Sequence, residues 1–220
     1  MLRNSLCRST FAAVLMLAVA VPVAAHDPAA AQEPDAAPAA APAAEGAFQS
    51  DVATDLERTG GRLVALAEAI PADKYGWRPA EGVRTVSEVF LHVANGNTLM
   101  PPMLGAPPPP DVALPQDMPS AMAWMREREA TVTAKDEVVA ALRESVDYAA
   151  GSVRGLASPA LEEQMDAFGF PASRRAYVLI LLTHNHEHLG QAIAYARSVG
   201  VTPPWSEAGE GPAAEDTGGN

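Results

Sequence analysis

The stretch 181-LLTHNHEHLGQ-191 places three histidines, His184, His186 and His188, at every second position, directly after an apolar run. Alternation with a period of two suits a strand, and His-rich tracts also occur as loose metal-binding tails. The flanking residues decide between these readings. Residues 174–199, RRAYVLILLTHNHEHLGQAIAYARSV, follow Ser173, a good N-cap, and precede Gly200, a good helix terminator. Tyr177, Ile180, Leu181, His184, His188, Gln191 and Tyr195 recur at three, four and seven, the period of a helix face. On a helix each residue advances about 100°, so His184 and His188 lie about 40° apart and His186 points about 200° away from His184. The triplet is therefore an inward pair plus an outward residue.

Two neutral imidazoles one turn apart on a helix can aim ring nitrogens at one ion, but a metal site needs at least one more ligand. His26 lies far from any helical pattern, which leaves His92 as the remaining histidine. It sits in a second amphipathic segment, among Val86, Val89, Phe90, Val93 and Leu99. Spacing alone leaves two readings open: a mononuclear site of His92, His184 and His188, or hydrogen-bonded core histidines. The zinc-protease pattern H-E-x-x-H is absent, because Glu187 follows His186 but position 190 is Gly. The paired Glu-x-x-His motifs of di-iron bundles are absent too.

The rest of the folded part also reads as helical. Phe48, Val52, Leu56, Leu63, Leu66 and Ile70 mark a first helix, weakened by Gly60-Gly61 and ended by Pro71. Thr85 and Glu88 form a T-x-x-E capping box opening the second, which is expected to stop near Met100 at Pro101-Pro102. A proline-rich excursion follows, with a short helix around Ala121–Arg128, then a third long helix from Ala134 to Leu156. Residues 162–171 read as a loop. Four long helices with one insertion predict an all-α fold, a four-helix bundle with a short extra helix between helices 2 and 3. Beside the histidines, Glu88 is a candidate second partner for His92 or simply the capping box, and Asn95 and Gln191 are pocket residues or buried structural amides. Trp77, Trp205, Tyr195 and the methionines read as packing residues, and the PPPP segment as a rigid loop able to overhang the site.

The ends read differently. Residues 1–25 have the layout of a signal peptide, with Arg3 and Arg8, the apolar run FAAVLMLAVAV and small residues up to Ala25. Residues 26–46 are an Ala/Pro-rich acidic linker, 47–206 the domain, and 207–220 an uncommitted tail. Export to the periplasm or medium is the expectation, with no membrane span once the signal is removed and retention as an anchor the alternative. Cys7, the only cysteine, lies inside the signal, so the mature chain has no disulfide, thiolate ligand or cysteine nucleophile. The formal charge of −12 and the lack of a basic, aromatic-interleaved patch disfavour nucleic acid as a partner.

Two segments carry a family likeness. YGWRPAEGVRTVSEVFLHVANGN (75–97) and THNHEHLGQAIAYARSVGVTPPWS (183–206) resemble the DinB superfamily, a likeness extending over residues 48–206. It implies a bundle of up-down-down-up topology and one divalent transition metal, zinc, nickel or similar, held by His92, His184 and His188. It also implies thiol-dependent transfer in some members and dimerisation through a bundle face, hence a homodimer. Leu189 stands where relatives commonly carry Arg, and an exported chain meets little reduced thiol, so thiol transfer is the weaker expectation. The functional expectation is a metal-dependent hydrolase or transferase of a small molecule; the alternative is a noncatalytic bundle that binds metal or a small ligand.

Overall fold

The computed structural model describes residues 46–110 and 112–207. The expected signal peptide, all but Gly46 of the linker, and the tail beyond Glu207 lie outside the described residues. Helices α1 (Ala47–Ala69), α2 (Val86–Met103), α3 (Met118–Thr131), α4 (Lys135–Arg154), α5 (Arg174–Ser198) and α6 (Pro204–Glu207) follow in order, with a hairpin of β1 (Gln164–Ala167) and β2 (Phe170–Ser173) before α5. None of the described helices is long and apolar enough to cross a membrane.

Helices α1 and α2 each pack on both α4 and α5, so α1 and α2 face each other across a diagonal. Two core clusters give the directions. One joins Leu63 to Ala67 of α1 and Ile70 just after it, Val86 to Ala94 of α2, Val138 and Leu142 of α4, and Leu189 to Ala196 of α5. The other joins Val52 and Leu56, Met100, Ala149 and Val153, and Tyr177 and Leu181. The start of α1 therefore lies with the ends of α2 and α4 and the start of α5. Helices α1 and α5 run one way and α2 and α4 the other, an up-down-down-up bundle. Parallel α2 and α4 need a long crossover, and residues 104–134, with α3, supply it.

The N-terminus of α2 is buried, so its free amides need partners. Val86 N–H donates to the Trp77 carbonyl at 3.0 Å and Ser87 N–H to the Tyr75 carbonyl at 3.0 Å. Glu88 N–H donates to Thr85 Oγ1 at 3.2 Å, and Thr85 N–H to Glu88 Oε2 at 2.7 Å, closing the expected capping box. This anchor fixes the phase of α2 and hence the direction of His92, two turns on. Gly60 serves packing: a methyl on its Cα would lie 2.4 Å from Val146 Cγ1, so the Val146 side chain of α4 rests directly on the α1 backbone there.

Two local expectations fail. Pro101 and Pro102 do not stop α2, which continues to Met103. They occupy its last turn, and the carbonyls of Pro101 and Pro102 accept from Leu104 and Gly105 N–H, both at 2.9 Å. Residues 162–171 are not simply loop, because Ala167 pairs with Phe170 across a two-residue turn. Phe168 and Gly169 both have positive φ, 60° and 94°, the requirement of the primed turns that suit hairpins. A phenylalanine in that conformation conceals the turn from a search for Asn-Gly or Asp-Gly.

Candidate metal centre

His92 from α2 and His184 and His188 from α5 converge between the two helices, with one ligand nitrogen from each lying within 4.8 Å of the others. The ring centroids are 5.1 Å apart for His92 and His184, 4.7 Å for His92 and His188, and 4.6 Å for His184 and His188. The close approach of α5 depends on Gly96. A methyl there would sit 2.6 Å from His184 Cε1.

Hydrogen bonds assign the protons on two of the three rings. Arg84's carbonyl can only accept, so Tyr195 O–H donates to it at 3.1 Å. Tyr195 Oη then accepts from Gln191 Nε2 at 3.3 Å, which turns Gln191 Oε1 toward His188 Nδ1 at 2.8 Å as an acceptor. His188 Nδ1–H donates, and its Nε2 keeps a free lone pair. His92 Nδ1 lies 3.0 Å from Glu129 Oε1, and a carboxylate only accepts, so Nδ1–H donates here too. Arg84 Nε–H donates to Glu129 Oε2 at 3.2 Å and holds the carboxylate from its far side. Burial alone would raise the Glu129 carboxyl, but the His92 hydrogen bond and the Arg84 charge outweigh it and hold it below the ordinary range.

His184 differs. Its Nδ1 is the single buried side-chain polar atom without a hydrogen-bond partner among the described residues. Burial, reinforced by the charges that His188, His92 and Arg84 would present, lowers its pKa from 6.5 to about 3. Burial also lowers His188, against the opposing pull of the Gln191 hydrogen bond. Both rings are neutral near pH 7, the form that binds a metal. The set fits a divalent transition metal: neutral imidazoles, two with their other nitrogen hydrogen-bonded and one with an orphaned buried nitrogen. Separations up to 4.8 Å are within reach of small ring rotations toward one ion with metal–nitrogen bonds of about 2.0–2.1 Å.

A cleft of about 750 Å³ runs from this centre. His92 and His184 line it, and His188 does not. Its walls come from the second half of α2, the proline-rich segment through Pro108 and Pro115, α3, the hairpin tip and the start of α5. Of the PPPP segment, Pro108 is among the residues that line the cleft.

The other candidates distribute as follows. His186 points away, its Nε2 3.0 Å from Asp55 Oδ2 and 3.2 Å from Thr59 Oγ1, and ties α5 to α1. Glu88 serves the capping box; the acceptor for His92 is Glu129, which sequence reasoning missed. Gln191 is the His188 acceptor, whereas Asn95 is structural, its Oδ1 accepting from Arg128 Nε at 2.9 Å. Trp77 packs edge-on against Tyr195 at 5.4 Å, and Trp205 against the core beneath Arg62. Leu189 is buried in the core.

No protein of curated function matches the chain. Among solved structures, a DinB-like protein of Bacillus cereus ATCC 10987 superposes with a TM-score of 0.54 at 17% identity, over 71% of this chain and 93% of that one. A DinB-like protein of Bacillus subtilis (YjoA) gives 0.52 at 19% identity, over 69% and 93%. At these identities the likeness speaks for the fold. The sequence profile of the DinB superfamily matches residues 55–192, a span that contains all three histidines. With the profile covering more than half of the sequence, the chain belongs to the DinB superfamily.

Proposed function

We propose that the protein binds one divalent transition metal, zinc, nickel or a similar ion, through His92, His184 and His188, and acts outside the cytoplasm as a metal-dependent hydrolase or transferase. The observation that carries this reading is the cleft that opens onto His92 and His184. A metal used only to staple α2 to α5 needs no such access. A bound ion would supply Lewis acidity and lower the pKa of a coordinated water or substrate group. Three protein ligands leave room for that group, as in catalytic rather than closed structural sites. Glu129 and Gln191 hold the rings of His92 and His188 in one tautomer, so the lone pairs stay aimed at the centre. A molecule seated along the apolar walls would displace water beside the centre, where electrostatic effects then strengthen.

Location and metal are tested together by fractionating the native host and analysing the protein, without a His tag, for metal. The expected result is recovery from the extracytoplasmic fraction with about one metal per chain, falling to background in His92→Ala and in His184→Ala. Unchanged stoichiometry in both variants overturns the three-histidine site, and recovery from the cytoplasm overturns export.

A further inference from the structure

The chemistry of the cleft walls restricts what can lie along them. Among the described lining residues there is no lysine or arginine, and the one carboxylate, Asp117, is committed to capping α3 by accepting from Ser120 N–H at 2.8 Å. Five methionines, Met100, Met103, Met118, Met122 and Met125, line it together with Phe168. Met103, Met118, Met122 and Phe168 are exposed, so the mouth is apolar as well as the floor. Large apolar side chains left open to water around a concavity mark a binding surface.

We infer that the substrate is an uncharged, elongated apolar molecule with one small polar group, which lies at the His92 and His184 end while the apolar body runs over the methionines to Phe168. This rests on the metal-site reading above and adds the substrate class to it. An anionic body would run along walls whose described lining residues include no lysine or arginine, in a chain of formal charge −12, and would lose its hydration without replacement. An apolar body gains the burial of the exposed methionines and Phe168 as well as its own. Unbranched, polarisable methionine walls adapt to shape, so the cleft accepts a series of apolar bodies rather than one outline.

Three hydroxamates test this on the zinc-loaded protein by titration calorimetry: acetohydroxamate, octanohydroxamate, and the eight-carbon hydroxamate carrying a carboxylate at its far end. Octanohydroxamate is expected to bind at least about 30-fold more tightly than acetohydroxamate, since each fully buried methylene contributes roughly fourfold. The far carboxylate should remove at least about tenfold of that gain, the scale of an unpaired charge against an apolar wall. Octanohydroxamate within threefold of acetohydroxamate, or equal binding of the carboxylate probe, overturns the inference. Met122→Arg, at an exposed lining position, introduces the missing cation and should raise affinity for the carboxylate probe while metal content stays unchanged. No gain in a variant with wild-type metal content and thermal melting overturns the placement of the apolar body. If zinc does not bind, octanamide is compared with acetamide on the metal-free protein: a retained preference upholds the apolar cleft while the metal reading fails, and no preference sinks both.

Discussion

Glu129 is the residue through which α3 reaches the histidines. Its Oε1 accepts from His92 Nδ1–H and its Oε2 from Arg84, so it orients one ring and is itself held in place. Removing such a partner typically lowers metal affinity by about 10–100-fold. Glu129→Ala is therefore expected to weaken zinc binding by about that factor, measured by competition with a chelator of known affinity. Glu129→Gln keeps an acceptor for His92 and should recover part of the loss; equal affinity in wild type and Glu129→Ala would show that the ring is held by packing alone. Glu129 also marks the limit of what local sequence reveals. The phase of His184 and His188 follows from residues four apart on one helix, and that part of the site was readable. The His92–Glu129 contact joins residues 37 apart across a proline-rich crossover, and no periodicity specifies which face of α3 turns inward. Gln191 lies between these cases: three residues after His188, it shares that helix's face, so its position was visible but its role was not.

Helix spacing in the bundle depends on two glycines with different consequences. Gly60 lets α1 and α4 meet, with Val146 Cγ1 2.4 Å from where a Cβ would stand; Gly96 lets α2 approach α5, with His184 Cε1 at 2.6 Å. Overpacking of a well-packed contact costs about 1–3 kcal/mol. Gly60→Ala should lower stability to denaturant by about that amount, less any gain in helix propensity of about 1 kcal/mol, with zinc affinity unchanged. Gly96→Ala presses on a ligand ring, so it should cost zinc affinity as well. If both variants lose affinity equally, the centre is sensitive to general loosening rather than to the α2–α5 approach. Elements whose signals are local, such as the capping box at Thr85 and Glu88 and the Ser173 cap, form where the residues predict. The hairpin was hidden because Phe168 takes a left-handed turn position normally held by Asn or Gly. The last turn of α2 was hidden because a helix end accommodates proline where tertiary packing holds it, as the burial of Pro101 shows.

The bundle as a whole encloses two imidazoles that resist protonation, and this makes the metal-free fold acid-sensitive. His184 has its pKa lowered from 6.5 to about 3, burial first and neighbouring charge second, and His188 is lowered by the same leading cause. In the unfolded chain both return to ordinary values. Below about pH 6.5 the unfolded state binds protons that the folded state refuses, so stability is full above that pH and falls as pH drops toward the folded values. Each such proton tilts the balance by about 1.4 kcal/mol per pH unit. The carboxylates act in a lower window: Asp55 and Glu129 are held below their ordinary values of 3.8 and 4.5, so their contribution is lost only as pH falls through that range. Between pH 6.5 and 5 the histidines therefore dominate. Denaturant midpoints of the metal-free protein should decline across this interval, and His184→Gln, which carries no titrating ring, should show a shallower decline than wild type. Parallel slopes in the two proteins would mean that His184 takes up its proton within the fold, by opening toward the cleft that already exposes its edge.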